Sequence, residues 1–296
     1  MPIEIREVGP RDGFQNESAE IPTALKLELI EKLIEAGVPA IEITSFVNPA
    51  RVPQFADAAA VAASLAGRDD VALWAFAGNL RGLERAAAAG VPRVTTAVAV
   101  SEEINRSNFN KSTAESLATI PDFVRGAVDA GVELEVTVAT AFGDTGGRRV
   151  SLEETFAAVR QVAAHGVERI MLGDTVGIAN PRRVRETYGV LVPELPEVSF
   201  GAHFHDTRGL AVANALAARE CGVELFDSSF GGLGGCPFAP GASGNVATEE
   251  LVFMFEEMGE PTGIDLGLLL EAVGSVSSFL GRAPDSDVAR AAAATH

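Results

Sequence analysis

Residues 127–139 read AVDAGVELEVTVA. A helical segment stops at Gly131, and Val132 opens a run dominated by apolar and β-branched residues. Glycine takes the left-handed conformation that closes a helix without a Cβ clash, and the run behind it has the composition of a buried strand. The same punctuation recurs at Gly37-Val38, Gly90-Val91, Gly166-Val167 and Gly222-Val223. The runs that follow the five glycines are AIEIT, RVTTAVAV, ELEVTVA, RIMLG and ELFDSS. Gaps of 35 to 56 residues between the glycines suit one strand, one helix and loops of varying length.

The runs IEIREV, DVALWAF and VSFGAHFH raise the number of expected strands to eight. Helical patterns separate them, as over 23–36 with apolar Leu25, Leu29, Ile30, Leu33 and Ile34. Strands that alternate strictly with helices pair in parallel, and eight such units in 296 residues predict an α/β fold, a (β/α)8 TIM barrel. A doubly wound open sheet is the runner-up, but VGPRDGFQ stands after the first strand where its glycine-rich dinucleotide fingerprint would be. Extra C-terminal helices continue through 266–280. The expectation is one catalytic domain over 1–283, with 284–296 as a loose tail and no linker dividing the chain.

Composition narrows the partners. Hydrophobic residues make up 47% of the chain, enough for a large core, yet no run approaches the ~20 apolar residues of a membrane span. The 23 basic and 41 acidic side chains give a net charge of −18, which argues against nucleic acid and anionic membranes as partners. The opening residues MPIEIREVG carry no basic segment followed by an apolar run, and two cysteines, Cys221 and Cys236, make no disulfide framework. The expected location is the reducing cytoplasm. An anionic substrate would need a local positive centre to overcome the overall field.

In a barrel of this kind the chemistry lies at the C-terminal strand ends and in the loops after them. His203 and His205, two of only four histidines, close the seventh strand in GAHFHDTRGL. Residues two apart on a strand project to one side, so the pair suits two ligands of one metal ion; it reads equally as two strand-end side chains bonded to backbone or water. Arg11 and Asp12 follow the first strand, where Asp12 offers a carboxylate ligand or an ordinary turn aspartate. Glu42 sits between two isoleucines in the second strand, an expensive place for an acid unless it is paired, and Arg11 is the nearest plausible partner. Asp174 and Asp227 stand at further strand ends. The stretch 230–250 holds six glycines from Gly231 to Gly244, lacks the Gly-Lys-Ser/Thr of a phosphate loop, and carries Cys236 as its reactive side chain. Asn245 behind it reads as a helix cap.

The motifs EVGPRDGFQNE, IEITSFV, LGDTVG, HFHDTRGLAVAN and GGLGGCPFAPGASGNVATE, in this order from residue 3 to about residue 250, resemble the 3-hydroxy-3-methylglutaryl-CoA lyase family of TIM-barrel metallolyases. Arg-Asp-Gly and His-x-His are shared with isopropylmalate and citramalate synthases; the Gly-Gly-Leu-Gly-Gly-Cys-Pro loop points to the lyase branch. The resemblance implies that Asp12, His203, His205 and Asn245 bind one Mg²⁺ or Mn²⁺, which promotes Asn245 from cap to ligand. It implies cleavage of a 3-hydroxyacyl-CoA thioester, with Asp12 or His203 as base, Arg11 stabilising the thioester oxygen, Glu42 orienting Arg11, Asp174 in support and Cys236 protonating the product enolate. Gln15, Ser45, Asn108 and Thr175 match polar substrate contacts of the family. A homodimer and a place in leucine degradation go with the same resemblance.

The sequence also departs from the family. Gly143-Asp144-Thr145-Gly146-Gly147-Arg148-Arg149 replaces a Gly-Cys-Pro-aromatic-Glu-Gly turn, and Thr137 and Arg208 stand where animal relatives have tyrosine. These positions border the substrate mouth, so the reaction class is better marked than the acyl group. The competing expectations are a Claisen-type synthase joining acetyl-CoA to a 2-oxo acid, and a barrel that binds acyl-CoA without turning it over.

Overall fold

The computed structural model describes residues 3–144, 146–235 and 244–294, the side chain of Phe109 excepted. Eight strands close into one barrel in chain order: Glu4–Glu7 (β1), Ala40–Ser45 (β2), Ala72–Phe76 (β3), Arg93–Ala99 (β4), Glu133–Ala139 (β5), Arg169–Asp174 (β6), Ser199–Phe204 (β7) and Leu225–Ser228 (β8). Every pairing is parallel, and β8 returns to β1 with Asp227 beside Arg6. Each run anticipated as a strand carries one. The punctuating glycines all take left-handed backbone, with φ of 85° at Gly37, 84° at Gly90, 66° at Gly131, 81° at Gly166 and 93° at Gly222. A side chain there would be strained, which is why glycine stands at each of these junctions.

The apolar periodicity of the first helix is realised over Thr23–Glu35, which buries Leu29, Ile30 and Leu33. Successive strand residues face opposite sides. Arg6 of β1 reaches Glu135 of β5 at 2.6 Å, and these strands are not neighbours, so both side chains project into the barrel. Their sequence neighbours Ile5 and Val136 then face outward and join the main apolar cluster between barrel and helices. Arg6 also holds both oxygens of Asp227, at 2.8 and 3.1 Å. Arg6 and Arg169 each stack on Trp74 with the guanidinium carbon 5.0 Å from the ring centre. The barrel thus has an ionic interior inside an apolar sleeve.

After β8 the chain adds the helices Thr248–Glu257, Leu266–Leu280 and Asp287–Ala294. The last of these lies in the segment anticipated as a loose tail. Ala289 is buried there, and the Asp285 N–H donates to the Gly231 carbonyl at 3.0 Å. Among the described residues no helix is long and apolar enough to cross a membrane.

Candidate metal centre and barrel rim

The site begins with the turn after β1. Gly9–Gly13 form a single π-helical turn in which the Val8 carbonyl accepts the N–H groups of Arg11 at 3.0 Å, Asp12 at 2.6 Å and Gly13 at 3.3 Å. Such wide turns recur at functional sites because they carry side chains out of the helical path. Here the turn sets Arg11 and Asp12 over the barrel mouth. The Arg11 guanidinium donates to Glu42 and to Asp12, and its carbon lies 4.7 Å from the centre of the Phe76 ring. Glu42 also accepts from the Thr95 hydroxyl. The costly acid inside β2 is therefore fully paired.

His203 and His205 present Nε2 to the same Asp12 oxygen, at 4.0 and 3.9 Å, with ring centres 5.3 Å apart. Asp227 sits 3.0 Å behind His203 at Nδ1, and a carboxylate at one ring nitrogen leaves the other to face the site. Asn245 arrives from the far end of the chain. The stretch 244–247 returns antiparallel beside the end of β7: Val246 N–H donates to the Phe204 carbonyl and Asp206 N–H to the Gly244 carbonyl, both at 3.0 Å. This brings Asn245 Nδ2 to 2.9 Å from Asp12 Oδ2. The next helix starts only at Thr248, after Ala247, so Asn245 caps nothing.

The cluster has the character of a cation site. One ligand atom each from Asp12, His203 and His205 lies within 4.8 Å of the others. His205 Nδ1 and Asn245 Oδ1 are buried without a hydrogen-bond partner among the described residues, a state that costs about 1–3 kcal/mol per group if left so. Burial would raise the Asp12 carboxyl, but Arg11, His203, His205 and Asn245 hold it well below the usual carboxylate range. Burial, aided by His203, depresses His205 to about 4, which leaves its ring neutral near pH 7. Burial pulls His203 down as well; its bond and charge contact with Asp227 outweigh this and raise it. A carboxylate, two imidazoles and an amide oxygen fit a divalent cation of the Mg²⁺ or Mn²⁺ kind.

The other expected site residues scatter around this centre. Asp174 is buried, and its two oxygens accept the N–H groups of Ile178 at 3.0 Å and Ala179 at 2.9 Å. Burial lifts its carboxyl to about 6 against those two bonds. Thr175 accepts the Thr140 N–H at 3.0 Å, and Thr140 holds a strained positive φ of 54°. Ser45 is buried, and its hydroxyl has no partner among the described residues. Gln15 lines a surface cleft with Asn16, Arg51 and Gln54, to which none of the metal-cluster residues contributes. Asn108 is exposed on the π-helical turn Asn105–Phe109. Arg208 donates to the Val176 and Gly177 carbonyls at 2.8 and 2.9 Å, and Asp144 accepts the Arg148 N–H at 2.9 Å. Thr137 lies on β5 beside Met171. Cys236 lies outside the described residues.

Sequence reasoning missed three side chains that build this rim: Thr95 on Glu42, Phe76 under Arg11, and Arg6 behind Asp227. Arg6 alone left a signal, a charge inside the short strand run IEIREV.

Comparison with known proteins agrees with this geometry. A family model described as HMGL-like matches residues 2–276. The (R)-citramalyl-CoA lyase of Chloroflexus aurantiacus is 42% identical over 290 residues, 95% of this chain and 92% of that protein. Hydroxymethylglutaryl-CoA lyase YngG of Bacillus subtilis is 40% identical over 280 residues, 95% of this chain and 94% of that one. The structure of an HMG-CoA lyase from Acinetobacter baumannii, in complex with coenzyme A and 3-methylmalate, superposes with a TM-score of 0.91 at 37% identity, covering 98% of this chain and 95% of that one. The chain belongs to the HMG-CoA lyase family of carbon–carbon lyases.

Proposed function

We propose that this enzyme cleaves 3-hydroxy-3-methylglutaryl-CoA, or a close 3-hydroxyacyl-CoA homologue such as citramalyl-CoA, between C2 and C3, with one Mg²⁺ or Mn²⁺ per chain. The observation that carries the reading is the convergence of Asp12, His203 and His205 on one point, with Asn245 bonded to Asp12 and its amide oxygen without a partner among the described residues. A divalent cation held by these four residues supplies Lewis-acid chemistry, lowering the pKa of the substrate hydroxyl.

The residues around it do the rest. Asp12 or His203 takes the proton of the C3 hydroxyl; the C2–C3 bond breaks, C3 becomes the ketone of acetoacetate, and C2 leaves as the acetyl-CoA enolate. Arg11 stabilises the thioester oxygen as it gains negative charge, and Glu42, Thr95 and Phe76 keep its guanidinium aimed there, as a preorganised electrostatic site requires. Cys236 returns a proton to C2, completing acetyl-CoA. Asp174 fixes the turn after β6 and with it Thr175, which, with Gln15, Ser45 and Asn108, contacts the substrate. Arg11 and the cation form the positive centre that a chain of net charge −18 otherwise lacks.

The citramalyl-CoA alternative rests on the relative that cleaves that thioester and on the altered positions Thr137, Arg208 and 143–149 at the mouth. The test is a panel of 3-hydroxyacyl-CoA thioesters incubated with Mg²⁺ or Mn²⁺. Acetoacetate from the methylglutaryl thioester is expected, and pyruvate from citramalyl-CoA would favour the homologue. Chelation should abolish turnover and added Mn²⁺ restore it; cleavage that survives exhaustive chelation refutes the metal site. A cytoplasmic homodimer completes the reading, checked by light scattering of the purified protein.

A further inference from the structure

Glu7, the last residue of β1, is fully buried, and no ion pair to it is found among the described residues. Its carboxylate is occupied by three segments that are far apart in the chain. Oε1 accepts the Gly9 N–H at 2.6 Å, at the entry of the turn that bears Arg11 and Asp12. Both oxygens accept the Phe230 N–H, at 3.1 and 3.0 Å, at the start of the loop after β8. Oε2 accepts the Thr248 hydroxyl at 2.6 Å, three residues past Asn245. Gly9 has to be glycine for this: a Cβ there would lie 2.5 Å from the Phe230 ring and 2.6 Å from the carboxylate itself.

We propose that Glu7 is a positioning residue: by reaching Gly9, Phe230 and Thr248 at once it sets the separation of Asp12 and Asn245 and hence the shape of the metal centre. This rests on the cation site proposed above. Reach, rather than charge, is what the arrangement demands. Glutamine keeps the length, can accept both N–H groups through its oxygen, and can donate its amide to Thr248. Aspartate keeps the charge but is one methylene too short to touch all three.

The experiment compares Glu7→Asp with Glu7→Gln in the full-length protein, reading Mn²⁺ affinity by calorimetry, amide exchange over 8–13 and 228–233, and the split between kcat and KM. Glu7→Asp is expected to weaken Mn²⁺ binding about tenfold or more, as loss of support behind metal ligands does, and to speed exchange in both segments. Its kcat should fall further than its KM rises, and Glu7→Gln should recover most of the affinity and protection. The reverse order, or two variants that both bind Mn²⁺ like the parent, overturns the proposal. If Glu7→Asp does not fold, Thr248→Val removes one tie and leaves the carboxylate; Mn²⁺ affinity about threefold weaker is then expected, the scale of one hydrogen bond, and unchanged affinity overturns it. Calorimetry and exchange use no substrate. A protein that cleaves none of the thioesters would therefore refute the activity and leave this test standing.

Discussion

Asp227 and Glu7 are both buried carboxylates on adjacent strands, yet they meet different partners. Asp227 lies inside the barrel against Arg6, which also serves Glu135; Glu7 lies at the rim against backbone N–H groups and a hydroxyl. Burial would raise both. Arg6 and His203 instead hold Asp227 down at about 2, while the bonds at Glu7 only soften the effect of burial and leave it pushed up to about 8. Burial raises Glu135 against the pull of Arg6 and Arg169. Two more rim acids follow Glu7: Glu249, which accepts the Gly231 N–H at 3.1 Å and is raised by burial to about 7, and Asp174 at about 6. The arginine-held Asp227 fixes charge behind His203. Amide-held acids fix the path of the chain.

The contrast breaks most severely at Arg6. Arg6→Met takes the arginine from Asp227 and leaves Glu135 with only Arg169, 3.4 Å away, and breaking a buried pair this way costs about 3–5 kcal/mol. Thermal unfolding, followed through the single tryptophan, Trp74, should shift down by about 6 °C or more, given ~2–4 °C per kcal/mol at this size. A midpoint equal to the parent's would mean that the interior network is not held as an ionic unit.

Asp227→Asn tests the same network from the metal side. It takes the carboxylate from His203 and should weaken Mn²⁺ binding about 10–100-fold in calorimetry. Unaltered affinity would show that His203 needs no such anchor.

The rim acids should appear in the pH dependence. Folded-state values above the unfolded ones, as for Glu7, Glu249 and Asp174, give stability that is complete below about pH 4 and is lost as pH rises toward 8. Asp227 works the other way: its contribution is present above about pH 4 and is lost as pH falls toward 2. Urea midpoints should therefore drop between pH 5 and pH 8.5, and Glu7→Gln should narrow that drop. A parent and variant with the same drop would deny the rim acids their raised values.

Arg68 supplies the weakest contrast. It grips Glu31 at 2.6 Å and Asp70 at 2.8 Å, contacts as short as those of Arg6, but at the surface. Exposed pairs are worth about 0–1 kcal/mol, so Arg68→Ala should leave the urea midpoint nearly in place. A large loss would mean that bond length, and not burial, governs these arginines.

The barrel was legible because its signals are local. A glycine that must turn left-handed and the apolar run behind it stand side by side in the sequence, and all five of the Gly-Val junctions behave so. His203 and His205 were legible for the same reason, since strand alternation alone puts them on one side. Asn245 was not: its place depends on 244–247 returning beside β7, and a lone asparagine near a helix start reads as a cap. Only its motif marked it as a candidate ligand. Arg6 and Glu135 sit in runs otherwise read as plain strands, and nothing in either run names a partner 129 positions away. Asp174 was recognised as a strand-end acid, but its engagement by Ile178 and Ala179 is a property of the folded turn.

The rim draws Asp12 from the first strand–loop unit and Asn245 from beyond the last, across a seam where β8 meets β1. A ribosome must therefore release residue 245 before the fourth side chain of the proposed cation site can join the other three. Partial chains, whether nascent or clipped, would hold the two histidines without their opposing aspartate or amide. Manganese uptake during refolding should thus arrive late, as a clock for barrel closure.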